Sequence, residues 1–353
     1  MEFRRAVGLS SLVAGLLIAN VAAAAQCIGD PSTLSHGNPP RARVQPPMDP
    51  PNCGGGFGTG MVLDDYVDND GDRRYACLSR PASVPQGGLP LLVFLHPSLY
   101  PADTVYVATN LPEQMQTADL TGDPNRPGFI LLAPQGRNTT HFYPWPDHQG
   151  AGWDNWYRNT DPAKERNLPE NQAENVDVAA IDHYIHAVVA QGIVDPKRIY
   201  VSGWSNGSAM AILYGQARPG LIAAVGVYSA PNPYGDFDDP CPVKSFAAVP
   251  PVPIFHVHND CDITGICPSG QAMAQTFVRN RVPTSDQLID STLQPAARCL
   301  DQCRRSEPQF PGTDEYDYPG LGPDSTLGTA NHGRWPLNWT PAFFHFFQLH
   351  PRR

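Results

Sequence analysis

The sequence predicts an α/β fold in which helices cover both faces of a mostly parallel sheet. Short apolar runs alternate along the chain with segments of helical periodicity, which is typical of strand–helix–strand units. A Gly-x-Ser-x-Gly turn at residues 203–207 stands between a run of each kind. Polar side chains follow the ends of several apolar runs, and this is where parallel sheets bind their ligands.

The predicted strands are short and mainly apolar. Runs of this length between turn signals are typical of strands that are buried on both faces. They comprise residues 91–95, 129–133, 198–202, 223–228 and 252–257.

The predicted helices lie between and after these strands. Residues 176–190 place apolar side chains at helical spacing, and residues 208–213 continue from the Gly-x-Ser-x-Gly turn as a second helix. A final apolar helix is predicted over residues 342–349. Because helices separate successive strands, the strands are expected to run parallel.

Two segments precede the predicted catalytic domain, which spans residues 61–353. Residues 1–25 carry two arginines, then an apolar run and four alanines, the pattern of a signal peptide cleaved at small residues. The protein is therefore expected to be secreted or periplasmic, without a membrane partner after cleavage. Lipidation of Cys27 is the disfavoured alternative, because glutamine is an unfavourable residue immediately before a lipidated cysteine. Residues 26–60 are rich in Pro, Gly and Asn and predict an extended N-terminal arm.

Composition excludes two classes of protein. The formal net charge is −10 and no cluster of Lys or Arg offsets it, so the chain is not expected to bind nucleic acid. Hydrophobic residues make up 41% of the chain, which is enough for a packed core and argues against disorder. The sequence leaves the oligomeric state open.

Eight cysteines follow the predicted signal peptide. An even number in an exported chain predicts disulfide bonds, and pairs within 261–267 and 299–303 are sterically conceivable. A bridge through Cys261 would fix the loop around it. Zinc is disfavoured because the spacing matches no regular ligand pattern, and no metal or organic cofactor is expected. The aspartate-rich residues 63–72 do not fit a calcium loop and predict a solvated hairpin turn.

Ser205 is the candidate nucleophile. A serine at the centre of Gly-x-Ser-x-Gly, between a strand and a helix, sits on a sharp turn that exposes its hydroxyl. Gly203 and Gly207 allow the strand and the helix to pass closely. A serine needs a base to take its proton and an acid to orient that base.

The remaining partners follow in the chain order that this architecture uses, which is serine, acid, histidine. Asp260 and Asp262 both follow the strand at residues 252–257 and are rival acids. His332 lies in a loop before the final helix and is the candidate base. Two other histidines, His256 and His258, are expected to be structural, because one lies within the strand and the other at its mouth.

Four blocks together resemble a known family: Leu-His-Pro at residues 95–97, Gly-Trp-Ser-Asn-Gly-Ser-Ala-Met at 203–210, His-Asn-Asp-Cys-Asp at 258–262, and His-Gly-Arg-Trp-Pro at 332–336. They resemble the secreted α/β-hydrolase esterases related to polyhydroxybutyrate depolymerases and feruloyl esterases, over roughly residues 73–349. The resemblance implies an α/β-hydrolase fold. It also implies Ser205 as nucleophile, Asp262 rather than Asp260 as acid, and His332 as base.

Pro97 stands where these esterases usually have glycine. Because proline has no backbone N–H, the predicted oxyanion donors are the backbone N–H groups of Asn206 and Ser98, with Leu99 as an alternative to Ser98. His96 is expected to hold this loop rather than to transfer protons.

Aromatic residues surround the predicted site in sequence. Candidate substrate-binding residues are His96, Trp153, Trp156, Trp204 and Trp335, although packing of a long loop explains the tryptophans at 153 and 156 equally well.

The predicted function is hydrolysis of carboxylic esters through an acyl-enzyme, with polyhydroxyalkanoate-type or feruloyl and acetyl polysaccharide esters as substrates. A serine peptidase of the prolyl-oligopeptidase type and a non-catalytic exported binding protein with a hydrolase fold are the alternatives.

Overall fold

A single eight-stranded sheet organises the part of the chain that the structure describes. In this computed structural model the described residues are 49–54, 60–68, 71–98, 100–137, 152–153, 176–233, 251–262, 266–292, 328 and 330–353. Their strands are β1 Met61–Val67, β2 Arg73–Ser79, β3 Leu89–Leu95, β4 Ile130–Pro134, β5 Val194–Trp204, β6 Ala224–Tyr228, β7 Ile254–Asn259 and β8 Thr284–Ile289.

The strand order is β1-β2-β4-β3-β5-β6-β7-β8. Every pairing from β4 to β8 is parallel, whereas β2 pairs antiparallel with both of its neighbours, β1 and β4. This is the mostly parallel sheet that the sequence predicts. The carboxyl ends of β3, β5, β6 and β7 therefore meet at one edge of the sheet.

Helices pack on both faces of this sheet. They are α1 Thr104–Ala108, α2 Leu111–Gln114, α3 Val176–Val189, α4 Asn206–Ala217, α5 Ile266–Arg279 and α6 Thr340–Leu349, with a 3₁₀ turn at Leu337–Trp339. Side chains alternate along β3: Leu91 and Val93 pack in one core with α3, α4 and α5, whereas Leu92 and Phe94 pack in a second core with α1, α2 and α6. The prediction of helices on both faces is confirmed.

The C-terminal helix is held tightly against the middle of the sheet. A Cβ at Gly226 of β6 would lie 2.7 Å from Phe343 and 2.8 Å from Phe347, so only glycine lets α6 approach this closely. This contact fixes the start of α6. His332 lies in the segment that leads into this helix.

Several element boundaries differ from those predicted. β7 extends to Asn259, so His258 lies inside the strand rather than at its mouth. The predicted solvated hairpin is an antiparallel β1–β2 pair whose Asp68 is buried. The Asp68 carboxylate contacts Arg74 at 3.3 Å and Arg137 at 3.0 Å. These ion pairs compensate the buried charge of Asp68, and their arginines lie outside the predicted turn.

Disulfides constrain two places among the described residues. Cys53 is bonded to Cys77 of β2, which joins residues preceding β1 to the sheet. Cys261 and Cys267 are also disulfide-bonded, so the predicted bridge through Cys261 is present. The predicted signal peptide and most of the predicted arm lie outside the described residues. Among the described residues, no helix is both long and apolar enough to span a bilayer.

Candidate active site

Ser205 lies on a strained turn between β5 and α4. Its backbone has φ 55° and ψ −123°, a left-handed conformation that costs a non-glycine residue energy and is typical of functional sites. Close packing maintains the turn: a Cβ at Gly203 would lie 2.3 Å from the Gly207 carbonyl, and a Cβ at Gly207 would lie 2.2 Å from the Leu95 carbonyl. The two glycines therefore allow the bend that presents the Ser205 hydroxyl.

The structure brings Ser205, His332 and Asp262 together in one relay. His332 Nε2 lies 2.7 Å from Ser205 Oγ, and His332 Nδ1 lies 2.6 Å from Asp262 Oδ1. The Asp262 carboxylate is fully buried, whereas His332 is partly exposed. With the Nδ1–H donating to Asp262, the Nε2 lone pair faces the serine hydroxyl and can accept its proton.

Ser229 is a member of this site that the sequence analysis missed. It follows β6 with φ 58°, and its hydroxyl donates to the second carboxylate oxygen of Asp262. The same hydroxyl lies 3.2 Å from His332 Nδ1. Its position immediately after a predicted strand, at the same edge as Ser205 and Asp262, was the available signal. Ser229 thus fixes the carboxylate that orients the histidine.

The backbone that carries His332 is held from three sides. Trp204 Nε1 donates to the His332 carbonyl at 2.8 Å, and the Tyr228 hydroxyl donates to the Asn331 carbonyl at 3.0 Å. The Asn331 side chain accepts from the Thr292 N–H at 2.7 Å and donates to Cys261 Sγ at 3.1 Å. The disulfide-bonded Cys261 therefore links the segment of the acid to that of the base.

The predicted oxyanion donors lie on two segments in direct contact. Asn206 is the first residue of α4, and Ser98 follows Pro97 in the turn after β3. The close approach of Gly207 to the Leu95 and His96 carbonyls holds the start of α4 against the β3 turn. Leu99 lies outside the described residues.

His96 supports this turn from inside the protein. Its Nε2 accepts from the Gly136 N–H at 2.9 Å and its Nδ1 donates to the Pro97 carbonyl at 2.8 Å. Burial, aided by the nearby positive charge of Arg74, lowers the pKa of His96 from 6.5 to about 4, although the bond to Pro97 opposes the shift. The imidazole is therefore neutral at pH 7, with its tautomer fixed by both neighbours.

The depressed pKa of His96 predicts an acid-sensitive fold. Between pH 6.5 and 4 the unfolded chain protonates this histidine and the folded chain does not, so the free energy of unfolding falls by up to about 3 kcal/mol as the pH is lowered through that window. Urea unfolding at pH 7 and pH 4.5 should show a smaller loss of stability for His96→Gln than for the wild type. The exposed-histidine control His345→Gln should match the wild type, and equal losses in all three proteins would contradict this assignment.

The predicted substrate-binding aromatic residues are buried instead. Trp153, Trp204 and Trp335 are 1%, 3% and 1% exposed, and His96 is fully buried. Trp153 donates from its backbone to Asn206 Oδ1 at 2.7 Å and from Nε1 to the His96 carbonyl at 2.8 Å. These four side chains lie in the protein interior beside the site. Their burial does not favour direct contact with substrate. Trp156 lies outside the described residues.

Comparison with known proteins agrees with the motifs. Residues 75–238 match the family described as esterase PHB depolymerase. No curated protein sequence is significantly similar to the chain.

Solved structures that resemble the chain include a thermostable esterase, which is 15% identical with a TM-score of 0.49; 83% of this chain matches 63% of that protein. An acetyl xylan esterase from Aspergillus awamori is 16% identical with a TM-score of 0.43, and the match covers 63% of this chain and 81% of the other. A ferulic acid esterase from the anaerobic fungus Anaeromyces mucronatus is 12% identical with a TM-score of 0.42, covering 66% and 82%. This chain thus spans less than two thirds of the thermostable esterase. The family match confirms the resemblance to esterases of the polyhydroxybutyrate depolymerase type.

Proposed function

We propose that the protein is a serine carboxylic-ester hydrolase that works through an acyl-enzyme and is secreted or periplasmic. The observation that carries this proposal is the continuous relay from Ser205 through His332 to Asp262, with contacts of 2.7 Å and 2.6 Å. Its serine stands on a strained turn that exposes the hydroxyl. The match to an esterase family over residues 75–238 favours esters as the substrate class.

In the proposed reaction Ser205 Oγ attacks the ester carbonyl carbon while His332 Nε2 takes the serine proton. The C–O bond to the leaving alcohol then breaks, and His332 donates the proton to that alcohol. Water attacks the acyl-enzyme in the second half, with His332 again as base, and this releases the acid and restores Ser205. Asp262 holds the imidazole in the required tautomer throughout.

The charge that develops on the carbonyl oxygen needs preorganised donors. Asn206 N–H and Ser98 N–H are the proposed pair, since the packing of Gly207 against the β3 turn holds their segments together. The amino terminus of α4 points its dipole at the same place and adds to the stabilisation. The buried contacts of Trp153 with Asn206 and His96 keep both segments in position.

Polyhydroxyalkanoate-type esters and feruloyl or acetyl esters of polysaccharides are the proposed substrate classes. Methyl ferulate, short-chain nitrophenyl esters and a polyhydroxybutyrate suspension should be compared with a peptidyl amide on the purified protein. Hydrolysis of at least one ester with little amide cleavage would support the proposal. Preferential amide cleavage would favour the peptidase alternative, and no turnover together with no labelling by a fluorophosphonate would favour a binding protein.

Ser229 should affect turnover rather than substrate binding. Ser229→Ala removes a hydrogen bond to the ionised Asp262, and bonds to charged groups contribute about 1.5–3 kcal/mol, so kcat should fall by about 10-fold or more with little change in KM. Ser208→Ala is the matched control, because its equally buried hydroxyl donates to the Tyr228 carbonyl at 2.6 Å and not to the acid. Steady-state kinetics in which both variants lose the same amount of activity would contradict this role.

A further inference from the structure

A cluster of two histidines and one aspartate lies on β7 and β8, the last two strands in the sheet order. The proposed ester reaction does not use these residues. His256 and His258 alternate along β7 and therefore point to the same face. Their rings stack with centroids 4.7 Å apart. Asp286 of the edge strand β8 pairs with His256 in the strand register and places its carboxylate between the two rings.

The nitrogen and oxygen atoms of this cluster have the separations of metal ligands. Asp286 Oδ1 lies 3.0 Å from His256 Nδ1 and 3.2 Å from His258 Nε2. With bonds of about 2.0–2.1 Å, the ligand atoms of tetrahedral Zn²⁺ lie about 3.3 Å apart. All three atoms lie within 4.8 Å of one another, so a small closing movement of the two rings would complete one face of a tetrahedron.

The second nitrogen of His258 favours this use of the ring. His258 Nδ1 lies 3.8 Å from Cys267 Sγ, and because that sulfur belongs to a disulfide it can only accept a hydrogen. In the tautomer that carries its hydrogen on Nδ1, the Nε2 lone pair faces the Asp286 carboxylate at 3.2 Å, and a metal ion between these two acceptors would bind both.

The cluster is buried except on the side of Asp286. The side chains of His256 and His258 are 1% exposed, whereas that of Asp286 is 32% exposed. A cation could enter from the Asp286 side, where β8 ends the sheet. Gly270 of α5 allows the helix to cover the rings, since a Cβ there would lie 2.8 Å from His256 Cε1.

We propose that His256, His258 and Asp286 form a binding site for a divalent transition metal such as Zn²⁺, with a fourth position open to water. Two imidazoles and one carboxylate suit Zn²⁺ better than Ca²⁺ or Mg²⁺. The ion would join the end of β7 to β8 just before the loop that presents Asp262. It would stabilise the fold and take no part in the ester reaction.

The test uses purified protein without a histidine tag, treated with EDTA and then desalted. The wild type should bind one equivalent of Zn²⁺ in a calorimetric titration. Free Zn²⁺ at about 100 times its Kd should raise Tm by about 5 °C. Asp286→Asn, chosen because its partly exposed side chain tolerates change, should bind at least about 10-fold more weakly and show no such rise. His345→Gln should behave as the wild type, and EDTA should leave kcat at 25 °C unchanged.

Three outcomes would overturn the site. One is Zn²⁺ binding to Asp286→Asn with the wild-type affinity, and another is no Zn²⁺ binding to the wild type. Either result would assign the Asp286 contact to a proton on His258. Complete loss of esterase activity in EDTA would contradict the structural role. If Asp286→Asn does not fold, His258→Gln with Co²⁺ as a spectroscopic probe supplies the same comparison, since the wild type should show tetrahedral Co²⁺ bands and the variant should not.

Discussion

Replacing Ser205 by alanine should lower kcat for a nitrophenyl ester by about 10⁴-fold or more, because the alanine side chain has no hydroxyl with which to form the proposed acyl-enzyme. Alanine keeps a Cβ on the strained turn, where φ is 55°, so the variant should fold with nearly the wild-type free energy of unfolding. The measurement is the steady-state rate at saturating ester beside a urea unfolding curve.

Ser208→Ala is a suitable control for this variant, since Ser208 lies in the same helix but is bonded to the Tyr228 carbonyl. It should keep kcat within a few-fold of the wild type. A Ser205→Ala protein that folds and retains wild-type turnover would mean that catalysis occurs elsewhere.

The acid of the relay should be separable from its neighbour by mutation. Asp262→Asn should lower kcat by about 10⁴-fold, because an amide no longer holds His332 in the tautomer that accepts the serine proton. Asp260→Asn should cost less than about 10-fold. Asp262 Oδ1 lies 2.6 Å from His332 Nδ1, whereas the backbone N–H of Asp260 is used to pair with the Ile289 carbonyl at 2.8 Å.

Equal losses in the two aspartate variants would contradict this assignment. Labelling by a fluorophosphonate separates misfolding from lost chemistry, because a folded Asp262→Asn protein should still react, though slowly, at Ser205. Failure of both variants to unfold cooperatively in urea would move the test to Asp262→Glu, which keeps the charge and should retain part of the activity.

The elements and site residues that the sequence predicted are those with a local signal. The apolar run at residues 91–95 and the Gly-x-Ser-x-Gly turn each carry their pattern within a few residues, so β3 and the Ser205 turn could be located. β8 could not, because Thr284–Ile289 is mostly polar and lies at the edge of the sheet, where one side needs no apolar cover. Asp286 therefore carries no sequence signal that would place it beside His256 and His258.

The roles of residues that depend on a distant partner could not be predicted from the sequence either. Asp68 looks like a solvated turn residue until Arg74 and Arg137 are placed beside it by neighbouring strands. Trp153 looks like a pocket wall because sequence does not distinguish a buried indole from an exposed one. Ser229 has no motif of its own, and its importance follows from the side-by-side order of β5, β6 and β7.

Covalent trapping of the acyl group tests the central claim most directly. A nitrophenyl ester whose acyl group is released slowly should be mixed with the wild type at acid pH, quenched, and analysed by intact mass and peptide mapping. We expect one acyl group per chain, located on Ser205, with a matching burst of nitrophenol, and neither signal in Ser205→Ala. Ester turnover with no adduct, or an adduct on a different residue, would contradict it.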